Sequence, residues 1–271
     1  MRVEFEDRMS KNHLEGVGAI PITRTNDNEY ALNWVKKAKT YKPTQTVLSK
    51  FETKLPLKVT GCTESFATNF MKMFHYLPEQ KVVARRICHL VTDSNNRTVA
   101  VLIWSNPLSP SLQERDDWIG WGKTWNRKIR LENINKVIAN NVRFCVHPFI
   151  TNRSNIASQC LRLSRELLIK DWKQKYDNDL IFLESLVDPE KYKGTCYLAD
   201  NWKIIGQTKG TNYHGTLQPS LKFEKSRNWK LVSKLPPVSK KLIMLRELYP
   251  KHKTFILLKK LGLHSYRFAK S

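Results

Sequence analysis

Hydrophobic positions mark out one long element near the middle of the chain. Apolar residues at Ile156, Cys160, Leu161, Leu163, Leu167, Leu168, Trp172 and Tyr176 are interleaved with Arg162, Arg165, Lys170, Lys173 and Lys175. That period predicts an amphipathic helix over Ile156–Tyr176 with a basic outer face. Before it, Arg143-Phe144-Cys145-Val146 reads as a strand that runs through His147-Pro148 into a polar connection at residues 151–155. Asp177-Asn178-Asp179 stops the helix. Residues 180–187 are mostly apolar and end at Asp188-Pro189, the pattern of a buried strand. A short helix-like segment at 192–202 and a strand at 203–208 complete this unit.

The same pattern predicts further elements on either side. Residues 65–74 read as a helix with Phe66, Phe70, Met73 and Phe74 on one side, capped by Glu64 or Ser65 and ended by His75-Tyr76-Leu77-Pro78. Two apolar runs, 82–91 and 98–104, flank Asp93-Ser94-Asn95-Asn96 and predict a hairpin of two core strands. A loop at 106–113 leads into Arg115-Asp116-Asp117-Trp118, residues 131–138 read as helical, and a further helix is expected at 30–39. The class is α/β, a mixed central sheet flanked by helices. The expected organisation is an N-terminal basic extension at 1–54, a core domain at 55–210 and a basic, aromatic C-terminal region at 211–271.

Composition sharpens this picture. The chain of 271 residues is 41% hydrophobic, enough for a sizeable core. No apolar run approaches the roughly 18–20 residues of a membrane span, and the first residues lack the apolar segment of a secretion signal, so a cytoplasmic protein with no membrane partner is expected. Five scattered cysteines without a CxxC pair suggest neither disulfides nor zinc, and no metal site is predicted. The charge is the strongest global signal: 47 Lys and Arg against 24 Asp and Glu leave +23. Such an excess repels itself unless a polyanion offsets it, which points to nucleic acid.

Fourteen of those cations fall within residues 220–271, interleaved with Trp229, Tyr249, Phe255, Tyr266 and Phe268. Lys222, Lys225, Arg227, Lys230, Lys240 and Lys241 there, and Lys209 before them, are the candidate phosphate contacts, and Trp118 and Trp121 are candidates for stacking on bases. The plainer alternative is a solvated basic face with its aromatics in the core.

Several polar residues stand out against apolar surroundings. Arg143, on an apolar strand, needs a partner if buried, and Asp188, Glu184 or Asp117 is expected to supply it. His75 and Tyr76 form a polar end to an apolar helix, where a histidine can move protons or simply cap. Asp188 before Pro189 is placed as a base, a ligand for a substrate amine, or the start of a turn. Cys196 is a nucleophile only in electropositive surroundings and otherwise a small buried residue.

Strand, polar turn, amphipathic helix, apolar strand, short helix carrying Tyr197 and a final strand resemble the second half of the GNAT (N-acetyltransferase) fold. More specifically, His75-Tyr76-Leu77, Asp117-Trp118-Ile119-Gly120-Trp121, Asn140-Asn141-Val142-Arg143-Phe144, Asn155-Ile156-Ala157-Ser158, Asp171-Trp172, Leu183-Glu184 and the run from Gly194 to Trp202 resemble the DruA-like family of the Druantia anti-phage systems, whose relatives also occur beside transposases. Shorter motifs are similar to the phage Mom proteins, GNAT-like enzymes that modify adenine in DNA. These are His75 and Tyr76, Arg143, Asn155 and Ser158, and Asp188 with Tyr197.

The resemblance implies a general-acid role for Tyr197 and a donor-binding role for Asn155, Ala157 and Ser158 at the start of the central helix. Acetyltransferases of this fold carry glycines there, whose amides cradle a pyrophosphate. This chain has none between Asn152 and Ser158, so an acetyl-CoA-type donor is not favoured and the donor stays unidentified, although the helix dipole can still receive a phosphate or carboxylate. Three functions follow as expectations. The first is base modification at an exocyclic amine of bound DNA, and the second is non-catalytic DNA binding within an anti-phage or mobile-element system with partner proteins. The third is strand cleavage by Tyr197 or Cys196 with acidic residues binding magnesium.

Overall fold

The computed structural model describes residues 50–77, 85–107, 112–121, 127–209, 239–263 and 267–268, with backbone only for 127–131. The helix expected at 30–39, the start of the strand expected from 82, and Lys222, Lys225, Arg227 and Lys230 lie outside them. In chain order the elements are β1 (Lys58–Gly61), α1 (Glu64–Phe74), β2 (Arg86–Thr92), β3 (Thr98–Ser105), α2 (Gln113–Ile119), α3 (Arg127–Val137), β4 (Ile138–Val146), α4 (Ile156–Tyr176), β5 (Phe182–Val187), α5 (Thr195–Ala199), β6 (Lys203–Gln207), β7 (Leu242–Glu247) and α6 (Lys251–Lys260).

Seven strands form one sheet in the order β1-β2-β3-β4-β5-β7-β6. Every neighbouring pair is antiparallel except β4 with β5. The run β4, α4, β5, α5, β6 is the GNAT-like order that the sequence predicts. β7 enters between β5 and β6 from beyond residue 210, so the sheet includes a strand from the basic C-terminal region.

Burial explains the pattern. β3 is buried along its whole length and β2 along all but its first residue, because helices cover both faces, which is why these strands read as apolar runs rather than as alternation. On one face Leu161, Leu168 and Trp172 of α4 pack on Leu102, Trp104, Leu183 and Met244. On the other, Phe66 and Phe70 of α1 pack on Leu90 and Val101, while Ile119, Phe182, Leu245 and Leu258 gather under α2 and α6. The β2–β3 hairpin closes where expected, with Asp93 Oδ1 accepting from the amides of Asn95 (3.0 Å) and Arg97 (2.9 Å).

Two local readings differ from the structure. Thr63, not Glu64 or Ser65, caps α1, its Oγ1 accepting from the Phe66 amide at 3.2 Å. β4 begins at Ile138 rather than Arg143, because Asn140 and Asn141, polar in the sequence, are buried in the strand. The covering helices are also tied by polar contacts. Arg115 of α2 bridges Asp116 (2.9 Å) and Glu184 of β5 (3.0 Å), all three within 1% of full burial. β6 approaches α2 so closely that a Cβ on Gly206 would meet Glu114 Cγ at 2.8 Å.

Removing the cation of that buried triad takes the ion-pair partner from Asp116 and Glu184. Arg115→Met is expected to lower the unfolding free energy by about 3–5 kcal/mol, read from urea denaturation. A loss below about 1 kcal/mol would show that the carboxylates take up protons instead.

Candidate functional site

The site follows from where two parallel strands stop pairing. The β4–β5 ladder consists of Ile138↔Phe182, Ala139↔Leu183 and Asn140↔Glu184. Beyond those rungs, β4 stays paired with β3 and β5 with β7, so a split opens between their facing edges. Side chains close its narrow end. Ser185 Oγ lies 3.2 Å from the Asn141 carbonyl and 3.1 Å from the Tyr197 hydroxyl, which itself donates to Asn141 Oδ1 at 2.7 Å. Asn141 Nδ2 donates to the carbonyls of Ile103 and Arg143, both at 3.3 Å.

Toward the open end the structure gathers several of the sequence candidates. Arg143 on β4, His75 and Tyr76 after α1, Asp188 after β5 and Lys241 before β7 lie close enough to shift one another. Burial and then the Arg143 guanidinium pull the His75 imidazole down to about 4. Burial, followed by Asp188, raises the Tyr76 phenol. Burial and then Arg143 lower the Lys241 ammonium, and burial lowers Arg143 itself. His75 stacks on Tyr76, ring centroids 4.7 Å apart, and its Nδ1 accepts from the Leu77 amide at 3.1 Å. The neutral ring therefore carries its proton on Nε2, so His75 presents a donor at neutral pH rather than a group poised to titrate there.

Arg143 differs from expectation. Its Nη1 donates to the Val142 carbonyl at 2.7 Å, and none of Asp188, Glu184 and Asp117 pairs with it. Glu184 is held by Arg115 instead, and Gln113 holds Asp117 (2.8 Å). Among the described residues neither Arg143 nor Lys241 has an ion-pair partner, though both are partly buried. Asp188 gives Oδ1 to the Glu190 amide (3.1 Å), and its other oxygen has no hydrogen-bond partner among the described residues.

The remaining candidates are placed as follows. The Tyr197 hydroxyl is buried in the Asn141–Ser185 network, and burial raises the phenol far above its ordinary range. Burial pushes the Cys196 thiol up to about 11, so no thiolate is available near neutral pH. Trp121 has no exposed surface and is part of the core. Trp118 has the Arg267 guanidinium 3.8 Å from its ring centre. Lys209 and Lys240 are exposed. Asp116 and Glu184 are both committed to Arg115, so the carboxylate cluster that strand cleavage would require does not form among the described residues.

The start of α4 lacks the glycines that let a coenzyme A pyrophosphate approach a row of outward amides. Here the Ile150, Arg153 and Ile156 amides bond within the turn, to His147, Thr151 and Arg153 carbonyls. The Phe149 amide bonds His147 Nδ1. Phe51 straps the connection, its amide on the Phe149 carbonyl (2.9 Å) and its carbonyl on the Thr151 amide (3.0 Å), while Asn152 pairs with both the amide and the carbonyl of Thr53. Asn155 begins the helix in a left-handed conformation, φ 58°. Ser158 Oγ donates to the Asn155 carbonyl (3.0 Å), and Ala157 follows Ile156 in the first turn.

One constellation escaped the sequence reading. His89 on β2 contacts Ser164 Oγ (2.8 Å) through Nδ1 and Asp171 (3.1 Å) through Nε2, both on α4. Trp104 Nε1 donates to the same Ser164 oxygen at 2.9 Å. It has the membership of a nucleophile, base and acid relay, but it is buried between sheet and helix and serves to fasten them. Its signal was two polar residues, Ser164 and Asp171, on the apolar face of the predicted helix.

A family model described as Druantia protein DruA matches residues 16–232. Among solved structures the chain is similar to the spermidine/spermine N-acetyltransferase SpeG of Vibrio cholerae, at 9% identity and TM-score 0.37, covering 76% of this chain and 95% of that one. It is similar to the polyamine N-acetyltransferase of Drosophila melanogaster, at 10% identity and TM-score 0.38, covering 71% and 100%. The C-terminal condensation domain of Ebony gives 10% identity and TM-score 0.39, covering 72% and 100%. A comparison with curated proteins returns no match.

Burial and then Arg153 also pull His147 down to about 4, against an ordinary 6.5. In the unfolded chain both His75 and His147 take up protons near 6.5, whereas in the folded chain they do so only near 4. Their stabilising contribution is thus complete above about pH 6.5 and declines as pH falls toward about 4. Ring resonances of the two histidines should remain those of neutral imidazole down to about pH 5 and change near 4. A midpoint near 6.5 for either ring would contradict the placement.

Proposed function

The chain belongs to the family of Druantia protein DruA, and from that premise we propose that it is a phage-defence protein of GNAT-like fold that binds DNA and modifies a base at an exocyclic amine. The observation that carries this reading is the pair of partly buried cations, Arg143 and Lys241, with no carboxylate in ion-pairing range among the described residues. Partial burial of a cation without a counter-charge is costly, so a site of this kind is built for an anion. The net charge of +23 extends the same preference over the whole molecule.

In this reading a phosphodiester sits on Arg143 and Lys241, and the attached base turns into the split. Asp188 accepts a hydrogen bond from the exocyclic amine, and the neutral His75 ring supplies a donor through Nε2. Tyr76 presents its hydroxyl beside them. Tyr197 and Asn141 hold the narrow end rigid instead of touching the base. Coenzyme A is not assigned, because no glycine between Asn152 and Ser158 lets a pyrophosphate approach the start of α4.

A second reading, DNA binding without turnover, is favoured by the closed hydrogen bonding of Tyr197 and by the raised Cys196 thiol. Mass analysis of nucleosides from DNA of cells expressing the full chain separates the two. Modification predicts a new nucleoside mass that disappears in Asp188→Asn, a variant that leaves both cations in place. An unchanged nucleoside profile together with DNA binding would overturn the modification and leave the binding reading.

A further inference from the structure

Two tyrosines stand at the open end of the split, and only one of them was singled out from the sequence. Tyr192, on the turn after β5, is 53% exposed, and Tyr76 is 37% exposed. Their ring centroids are 5.3 Å apart at 54°. Tyr76 is braced from behind by His75. Tyr192 is fixed through its backbone, whose amide donates to the Asp188 carbonyl at 2.8 Å. Large aromatic surface held at a site mouth and left open to solvent invites a planar ligand.

The charges around the rings narrow the class. Lys191 Nζ lies 4.4 Å from the Tyr76 ring centre on an exposed, flexible stem, and Arg143 and Lys241 lie deeper. Asp188, whose carbonyl anchors Tyr192, has one carboxylate oxygen without a partner among the described residues. Rings for stacking, cations at two depths and one acceptor between them match a nucleotide: base, flanking phosphates and an exocyclic amine.

We infer that Tyr192, buttressed by Tyr76, is the stacking seat for a single unpaired nucleobase bearing an exocyclic amine, with Lys191 taking the adjoining phosphate. The inference rests on the DNA-directed reading above and adds to it the residue that separates a base from a bare backbone. Lys191 swings from the Tyr76 face to the phosphate as the base arrives. Adenine, cytosine and guanine each bring an exocyclic amine to Asp188, whereas thymine has none and offers only its ring N–H.

The test compares binding of short single-stranded oligonucleotides carrying adenine, thymine or an abasic residue at one position, using the full chain. The native protein is expected to prefer adenine to the abasic site by about tenfold or more, with thymine weaker than adenine. Tyr192→Ala should erase the preference and Tyr192→Phe, which keeps the ring, should retain it. Equal thermal stability of the two variants would assign the difference to the ring. Binding that ignores the base, or a preference that survives Tyr192→Ala, would overturn the stacking seat while leaving DNA binding intact. Absence of salt-dependent binding to any of the oligonucleotides would overturn both.

Discussion

The structure depends on a parallel ladder that stops after three rungs. Two neighbouring strands that continue side by side would normally go on exchanging backbone hydrogen bonds, because unpaired amides and carbonyls in a protein interior are costly. Here the exchange ends at Asn140 and Glu184. Side chains take over on each face of the sheet. Ser185 and Tyr197 bond to Asn141 on one, and Arg115 reaches Glu184 on the other. The strands are thus held together at one end and apart at the other, and the opening exists because these polar side chains replace the ladder.

The polar groups of the fold divide by whether their partners lie within the protein. His89, Ser164, Trp104 and Asp171 form a closed chain of hydrogen bonds between sheet and helix. Asp200 accepts both Arg165 nitrogens and the Trp202 indole. Such groups are internally satisfied and serve cohesion. Arg143 and Lys241 are different, since among the described residues neither has an ion-pair partner, and the second oxygen of Asp188 has no hydrogen-bond partner there. Chemistry alone does not separate the two kinds, because a serine, histidine and aspartate in contact form scaffolding here, while a lysine and an arginine without an ion-pair partner among the described residues mark the candidate site.

Much of this was legible in the sequence where burial left a periodic trace. The α4 helix, the β2–β3 hairpin and the apolar β5 strand announce themselves because each buries a face or a whole surface. The first half of β4 does not, because Asn140 and Asn141 look like loop residues until one sees that Asn141 is bonded on its amide and on its oxygen. β7 was hidden for a related reason. Leu242 to Glu247 is short and bounded by lysines and a proline, and the charge of the surrounding chain outweighs its apolar core. Among the candidate residues, His75, Tyr76, Arg143 and Asp188 came from motifs and lie near one another. Tyr192 and Lys191 carry no motif, and their place depends on the turn that Asp188 begins. The expected partner of Arg143 failed because a sequence shows which carboxylates exist but not that Arg115 already holds Glu184.

The central proposal is that Arg143 and Lys241, which have no ion-pair partner among the described residues, meet phosphate. The most direct measurement is the dependence of DNA affinity on salt concentration for the native chain and for the Arg143→Gln, Lys241→Gln double variant. Each phosphate contact contributes about 0.9 to the slope of log affinity against log salt for duplex DNA and about 0.7 for a single strand. The account predicts that the double variant binds more weakly and with a slope shallower by about two such contacts. A slope unchanged by the double substitution would place the phosphates elsewhere and contradict the account.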